Sequence, residues 1–291
     1  MVKDTIAIRT YKHLDDDLFS QVMVLKESVE ECEGLETGIG FDEALNFHSD
    51  MHAYVVASVG DTVVGVTTIF APQPNEGEIA VCVAIGYRCR GIGKSMVSLA
   101  MANLARFKIQ DTLLLCDNKS ESGRYFIASL QGEDLFHEYS MLLEDTDSLH
   151  TGTSVVIRPA VSSDIESMAT LCAAAYEDPY DESLGFIRAA MGAVQRTGYI
   201  GELAGIAVAS CFVSRNEKGI SINTVAVDPS HQRKGIATVF LSNIINLLLS
   251  ERKPIVLDVN SSNLRALGLY KKLGFVITSD IGYYRIPPTT D

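Results

Sequence analysis

No apolar run in this 291-residue chain approaches the roughly 20 residues that a bilayer-spanning helix needs, so a membrane-embedded protein is not expected. The first residues, Met1-Val2-Lys3-Asp4, lead straight into an alternating segment and lack the apolar stretch of a secretory signal. The six cysteines (Cys32, Cys82, Cys89, Cys116, Cys172 and Cys211) form no Cys-x-x-Cys pair and no disulfide-like spacing. Several lie inside apolar runs, as buried free thiols do, and a reducing, cytoplasmic setting is the expectation. Positive charge is in short supply: 24 Lys and Arg against 37 Asp and Glu leave a net charge of −13. A diffuse acidic field of that size argues against non-specific nucleic-acid binding and anionic membranes. It is compatible with an amine-bearing substrate, and it requires that any anionic cofactor be gripped locally.

What remains is an ordinary globular composition, 47% hydrophobic and 21% charged. The length is about twice that of a typical domain, which predicts two domains with separate cores.

The sequence is internally duplicated. Ile6-Ala7-Ile8-Arg9 is matched by Val155-Val156-Ile157-Arg158, offset by 149 residues. Val83-Ala84-Ile85-Gly86-Tyr87-Arg88-Cys89-Arg90-Gly91-Ile92-Gly93 is matched by Val227-Asp228-Pro229-Ser230-His231-Gln232-Arg233-Lys234-Gly235-Ile236-Ala237, offset by 144. A near-constant offset over most of a domain is the signature of a repeat. It predicts domains at 1–147 and 154–291, with the polar stretch 145–154 as linker. Each half reads alike: a strand (5–10; 154–159), one or two helices (from 15; from 162), and three strands (53–59, 62–70, 78–84; 198–203, 205–213, 220–227). A glycine-led helix, a buried strand (112–116; 254–259), a further helix and terminal strands follow. After Gly235, the spacing of Ala237, Phe240, Leu241, Ile244, Ile245 and Leu248 predicts a helix with a wide apolar face for a sheet. The pattern as a whole predicts a mixed α/β sheet in each half.

Two strand-to-helix junctions carry the chemistry. Arg88-Cys89-Arg90-Gly91-Ile92-Gly93-Lys94-Ser95 and Gln232-Arg233-Lys234-Gly235-Ile236-Ala237-Thr238 each open a helix. A helix start offers free N–H groups and the positive end of the helix dipole. Small residues let a phosphate approach the backbone, and the Arg and Lys side chains supply local positive charge. A P-loop needs glycine where Arg88 stands, and a dinucleotide fingerprint needs glycine where Met96 stands, so both fail. His48 and His52 flank Asp50 at one-turn spacing, but Ser49 replaces the glutamate of HExxH and no third ligand is evident. The reading is an exposed helical pair, and no metal is expected.

The loops resemble motif A of the GNAT superfamily, [Arg/Gln]-x-x-Gly-x-[Gly/Ala], through Arg88, Gly91 and Gly93 and through Gln232, Gly235 and Ala237. Further on, Asn263, Ala266, Tyr270, Gly274 and Phe275 fall in register with the family's Asn-x-x-Ala-x-x-x-Tyr-x-x-x-Gly-Phe motif. In the first half the corresponding stretch is eroded: Ile127 or Ala128 fills the tyrosine slot, depending on a one-residue gap, and Tyr125 lies off another helical face. The resemblance implies two tandem GNAT domains binding acetyl-CoA, with catalysis in the second. It implies that both loops, and Asn263, contact the cofactor, and that an N–H beside Val225-Ala226-Val227 polarises the thioester carbonyl. Tyr270 protonates the departing thiolate, and Asn263 orients the pantetheine arm or Tyr270.

The implied acceptor is a primary amine of a small molecule or protein, in a monomer or homodimer that binds neither nucleic acid nor membrane. The region of Tyr176, Glu177, Asp178, Tyr180, Asp181 and Glu182 lies where family members often bind the acceptor, and no single residue stands out as general base. The alternative is a non-catalytic acyl-CoA-binding or sensing protein, which the intact Asn263/Tyr270 set disfavours. Gly235→Glu, which brings bulk and like charge to the second phosphate loop, is expected to abolish cofactor binding there. Retained affinity in calorimetric titration would move the working site to the first repeat.

Overall fold

The computed structural model describes residues 5–147, 149, 155–217 and 219–287. The elements of the first half are β1 (Ile6–Tyr11), α1 (Asp16–Glu33), β2 (Tyr54–Val59), β3 (Thr62–Phe70), β4 (Glu76–Val83), α2 (Ile92–Arg106), β5 (Asp111–Asp117), α3 (Glu121–Ser129) and β6 (Glu133–Leu143). The second half gives β7 (Val156–Pro159), α4 (Ile165–Tyr176), α5 (Tyr180–Gly192), β8 (Arg196–Leu203), β9 (Ile206–Arg215) and β10 (Ile220–Val227). It ends with α6 (Ile236–Leu249), β11 (Ile255–Asn260), α7 (Leu264–Lys272) and β12 (Phe275–Arg285).

These elements form two compact units. One contains the described residues up to His137 and those from Ser279 onward; the other is Glu138–Thr278. This division differs from the linear one expected from the repeat, at 147 and 154. In the first unit the strand order is β1-β2-β3-β4-β5, ending on residues 281–285 of β12. In the second it is β7-β8-β9-β10-β11, ending on residues 138–142 of β6. The outer edges of β5 and β11 carry unpaired backbone groups that need a partner strand. Each edge takes a strand that the linear division assigns to the other half. Within each unit all pairs are antiparallel except β4–β5 and β10–β11. Of the predicted linker, Ser148 and residues 150–154 lie outside the described residues, as does the predicted start of the β7 strand at Ser154.

Local chemistry explains the helix boundaries. Asp15 caps α1 by accepting from Leu18 N at 2.8 Å, and Gly34, at φ +64°, ends it. In the second unit Phe240, Leu241, Ile244, Ile245 and Leu248 of α6 are all fully buried against Val208, Ile222, Leu257 and Phe275. Each such side chain contributes about 1.5–3 kcal/mol of burial free energy. The Phe240 ring lies so close to β8 that a Cβ on Gly201 would meet it at 2.6 Å, which explains glycine there. The first unit builds an equivalent core from Ile79, Met96, Val97, Ala100, Leu104 and Leu114.

One expectation fails outright. His48, Asp50 and His52 are not helical; only a single 3-10 turn, Glu43–Leu45, precedes them. His52 instead ties down the loop, its Nδ1 lying 2.7 Å from Thr10 Oγ1 while its carbonyl accepts from Asn103 Nδ2 at 2.6 Å.

The strand that completes the first unit is held by a polar cluster. Asn118 Nδ2 donates to Asp280 Oδ2 at 2.8 Å, and His137 sits between Asp280 (2.9 Å) and Asp134 (3.2 Å). Burial works to lower the His137 pKa, but hydrogen bonds and attraction from the two carboxylates outweigh it and the net shift is upward. A histidine with a raised native pKa stabilises fully below its ordinary value of about 6.5, and that contribution fades as pH rises through the native pKa. The melting-temperature gap between the native chain and His137→Asn is therefore expected to be widest near pH 6 and to shrink toward pH 9. A gap constant across that range would show that the cluster's charge does not stabilise the strand.

Candidate active site

In the second unit β10 and β11 run parallel but pair only at Ile220–Ile255 and Ser221–Val256. Beyond those residues they separate, which opens a slot between two strands that would otherwise share hydrogen bonds. On its other edge β10 slips against β9: Asn223 stands opposite Phe212 and Ala226 opposite Ser210, leaving Thr224 and Val225 facing Cys211 alone. This is a β-bulge, and Thr224 adopts φ +51°, a costly conformation for a β-branched residue. A bulge frees backbone groups from the ladder and turns them aside. The carbonyl of Val225 is held by Tyr176, whose hydroxyl donates to it at 3.2 Å from the last residue of α4.

The helix at the end of β10 begins without a side-chain cap. Its N-cap is Gly235, in the left-handed region at φ +78°, and Arg233 before it also lies there at φ +59°. The first helical bond runs from Val239 N to Gly235 O, so the N–H groups of Ile236, Ala237 and Thr238 have no intrahelical acceptor. No atom lies within 4 Å of a Cβ placed on Gly235, so the approach is open. Gln232 turns inward and its Nε2 donates to Val227 O at 3.3 Å. Arg233 and Lys234 have no hydrogen bond or ion pair among the described residues, and both stand exposed. Three open N–H groups, a helix dipole and two unengaged cations make this helix start a candidate anion site in an acidic protein.

Tyr270 projects from α7 into the second core and is 7% exposed, its ring set edge-on to Phe275. Burial, helped by the nearby Cys211 thiol, pushes its pKa up to about 12. Tyr176, half exposed, also titrates above the ordinary phenol value, through desolvation and then the proximity of Tyr270. Asn263 caps α7: its Oδ1 accepts from Ala266 N at 3.0 Å, so it positions Tyr270 through the helix. Two carboxyls rise above their ordinary range. Asp178 does so through desolvation. Asp258 on β11 also rises through desolvation, opposed by the 2.7 Å bond it accepts from Ser140. Asp258 has solvent at its side chain yet sits among enough protein to be desolvated, the mark of a recessed group.

The first unit repeats this plan with two parts missing. β4 and β5 pair from Glu76–Asp111 to Ile79–Leu114 and then part, leaving a cavity of about 540 Å3 bordered by Val83, Gly91, Leu114, Cys116, Phe126 and Ile127. Its loop has the same backbone, with Cys89 at φ +59° and Gly91 at φ +81°, and its first helical bond, Ser95 N to Gly91 O, leaves Ile92, Gly93 and Lys94 N–H groups open. However, β4 pairs with β3 residue by residue from Glu78 to Val83 with no bulge. The helix caps settle the register of the eroded motif. Ser120 caps α3 as Asn263 caps α7, and Gln131 (φ +57°) turns where Gly274 (φ +94°) turns, which puts Ile127 in the place of Tyr270.

The profile of the Acetyltransferase (GNAT) family matches residues 18–126 and again 158–275. The chain belongs to the GNAT family. A GCN5-related N-acetyltransferase from Sphaerobacter thermophilus superposes with a TM-score of 0.74 at 14% identity, covering 100% of this chain and 99% of that one. A tandem GNAT protein from the clavulanic acid biosynthesis pathway superposes at 0.73 and 15% identity, covering 98% and 100%. Among curated proteins, the [Ribosomal protein bS18]-alanine N-acetyltransferase of Escherichia coli strain K12 is 39% identical over 71 residues, 23% of this chain. The chain spans 45% of the length of that relative. The fold is thus a tandem GNAT arrangement, and no helix among the described residues is long and apolar enough to cross a membrane.

Of the residues the sequence singled out, Val225, Ala226, Val227 and 232–238 gather around one strand end, with Tyr270 in the core that the same strand lines. Residues 88–95 gather likewise in the first GNAT unit, around a cavity that Tyr87 and Tyr125 also border, with Ile127 at the position that matches Tyr270. Sequence reading missed the Thr224 bulge, the Tyr176 contact and the raised Asp258; only Asp258, inside the quoted Leu257-Asp258-Val259 strand, had a visible signal, as a charge in an apolar run. The geometry predicts that Arg233→Ala with Lys234→Ala weakens coenzyme A binding about tenfold at low salt and flattens its salt dependence. An unchanged affinity in titrations at about 20 mM and about 300 mM salt, on either side of the ionic strength at which charges are screened over about 8 Å, would show that backbone groups alone hold the anion.

Proposed function

We propose that the second unit is an acetyl-CoA-dependent N-acetyltransferase that moves the acetyl group directly onto a primary amine. The observation that carries this reading is the bulge at Thr224–Val225, which releases main-chain groups from the ladder on the strand that borders the slot between β10 and β11, in the unit that also holds Tyr270 and the open start of α6. The cofactor's diphosphate would rest on the N–H groups of 236–238 with Arg233 and Lys234 nearby, and its pantetheine arm would replace the missing hydrogen bonds along the slot.

The chemistry follows from that placement. The amine nitrogen attacks the thioester carbon, the C–S bond breaks, and the sulfur takes a proton. A freed N–H of the bulge stabilises the carbonyl oxygen as it gains charge. Tyr270, with its pKa near 12, stays protonated at any physiological pH and is a standing donor. A thiol in water titrates near 8.5, so the transfer is uphill in water, but desolvation in the slot raises the proton affinity of the thiolate too. The amine must lose its proton before or during attack. Asp178 and Asp258, both shifted upward, are the carboxyls whose direction of shift suits a general base. The acidic surroundings favour a cationic acceptor, on a small molecule or on a protein, as the name of the E. coli relative states for that enzyme.

The first unit supports the second reading, a site that holds a coenzyme A thioester without turning it over. It keeps the loop and the cavity but has Ile127 for the phenol and an unbroken β4. Tyr270→Phe is expected to lower kcat more than tenfold while leaving acetyl-CoA affinity nearly unchanged. Thiol release assayed over a panel of amines, beside calorimetric titration, checks both halves of that statement. Undiminished turnover would remove Tyr270 from the reaction.

A further inference from the structure

The two phosphate loops share a backbone but differ in what their cations touch. In the second unit Arg233 and Lys234 are unengaged among the described residues. In the first, every cation is committed to protein. Arg90 donates to Gly86 O at 2.9 Å and covers the Tyr87 ring at 4.8 Å, and Lys94 reaches Ser129 O at 3.4 Å. Arg88 is engaged most heavily. Its Nε donates to Val83 O at 3.0 Å, and its two terminal nitrogens meet both oxygens of Glu33 at 2.7 and 2.8 Å. One of them also donates to Ser122 Oγ at 2.9 Å. Glu33 is the last residue of α1, 55 positions away in sequence, and it borders the cavity together with Arg88 and Ser122. The bidentate contact lowers the Glu33 pKa, chiefly through the hydrogen bonds from Arg88, so the carboxylate is ionised throughout the physiological range. At the matching position of the second unit stands Gln232, neutral, its side-chain amide donating to the Val227 carbonyl.

We propose that Glu33 is a built-in rival of the ligand's diphosphate in the first unit. The inference rests on the reading that this unit holds a coenzyme A thioester. A diphosphate entering over the N–H groups of 92–94 meets an arginine already neutralised and a carboxylate at the rim of its own site. It binds only by drawing Arg88 away from Glu33 or by tolerating the like charge. Either route weakens the site relative to the second unit, so the first unit fills only when the thioester is plentiful, while the catalytic unit is already saturated. Glu33 opposes the diphosphate and leaves the amide-bearing arm of the ligand untouched.

The test uses the full chain carrying Gly235→Glu, which leaves the first unit as the remaining site, titrated calorimetrically with acetyl-CoA at low salt. Adding Glu33→Gln removes the rival charge and is expected to tighten binding about tenfold. Equal or weaker affinity overturns the proposal. A second measurement leaves Glu33 untouched: in the Gly235→Glu chain, acetyl-CoA is expected to bind less than about tenfold tighter than acetyl-pantetheine, which lacks the entire 3′-phosphoadenosine diphosphate end. A larger advantage means that the charged nucleotide end is held unopposed and also overturns it. If neither variant binds while the unmodified chain takes up one equivalent, the first unit holds no thioester and the proposal falls, with the assignment of the second unit intact. If the unmodified chain binds none, the cofactor reading itself fails.

Discussion

Everything in the second unit depends on a parallel strand pair that is stitched at one end and left open at the other. Two residue pairs join β10 to β11, and then the strands part. An open seam in a sheet strands backbone donors and acceptors, a cost that native proteins rarely leave unmet. An extended amide-bearing arm would meet those groups, and the uncapped start of α6 would favour an arm that ends in negative charge, as the proposed cofactor does. α6 is pinned by fully buried apolar side chains along its length, so its first turn can stay unsatisfied without fraying.

The bulge gives the two units different fates. Both have the seam and the loop, yet only β10 carries the extra residue that turns main-chain groups out of the ladder, and it does so at a threonine held in an unfavourable conformation. The Tyr176 hydroxyl on Val225 helps hold that arrangement. Strain at a position like this persists only where the surroundings over-determine it, and such positions concentrate at functional sites. In the first unit the strand is regular and Ile127 stands where Tyr270 stands in the second, so the absence of the phenol and the absence of the bulge go together.

Much of this was legible in the chain. Gly91 and Gly235 read correctly as small residues at helix starts because only glycine sits comfortably at φ near +80°. The apolar spacing of α6 was visible because helical period and burial coincide. The tyrosine register could not be decided from sequence, since one gap residue makes Ile127 and Ala128 equally good; the Ser120 and Asn263 caps decide it because they fix where each helix starts. The Thr224 bulge was invisible because it depends on how many residues β9 sets against β10, and threonine gives no turn signal. The Glu33–Arg88 pair joins residues far apart in sequence, and an acidic helix end offers no hint of its partner. His48 and His52 misled because spacing of four suggests a helix only when the residues around it also propagate one.

The exchanged strands bear on how this duplicated chain tolerates being cut. A fragment ending near residue 147 would lack the 281–285 stretch that covers β5, and one beginning near 154 would lack the 138–142 stretch that covers β11. Each piece would expose a naked sheet edge next to a hydrophobic core, a template for pairing with its own copies. Gene halves separated at the apparent repeat boundary would then have to re-associate or aggregate, which gives the fused arrangement a reason to persist whatever each unit contributes.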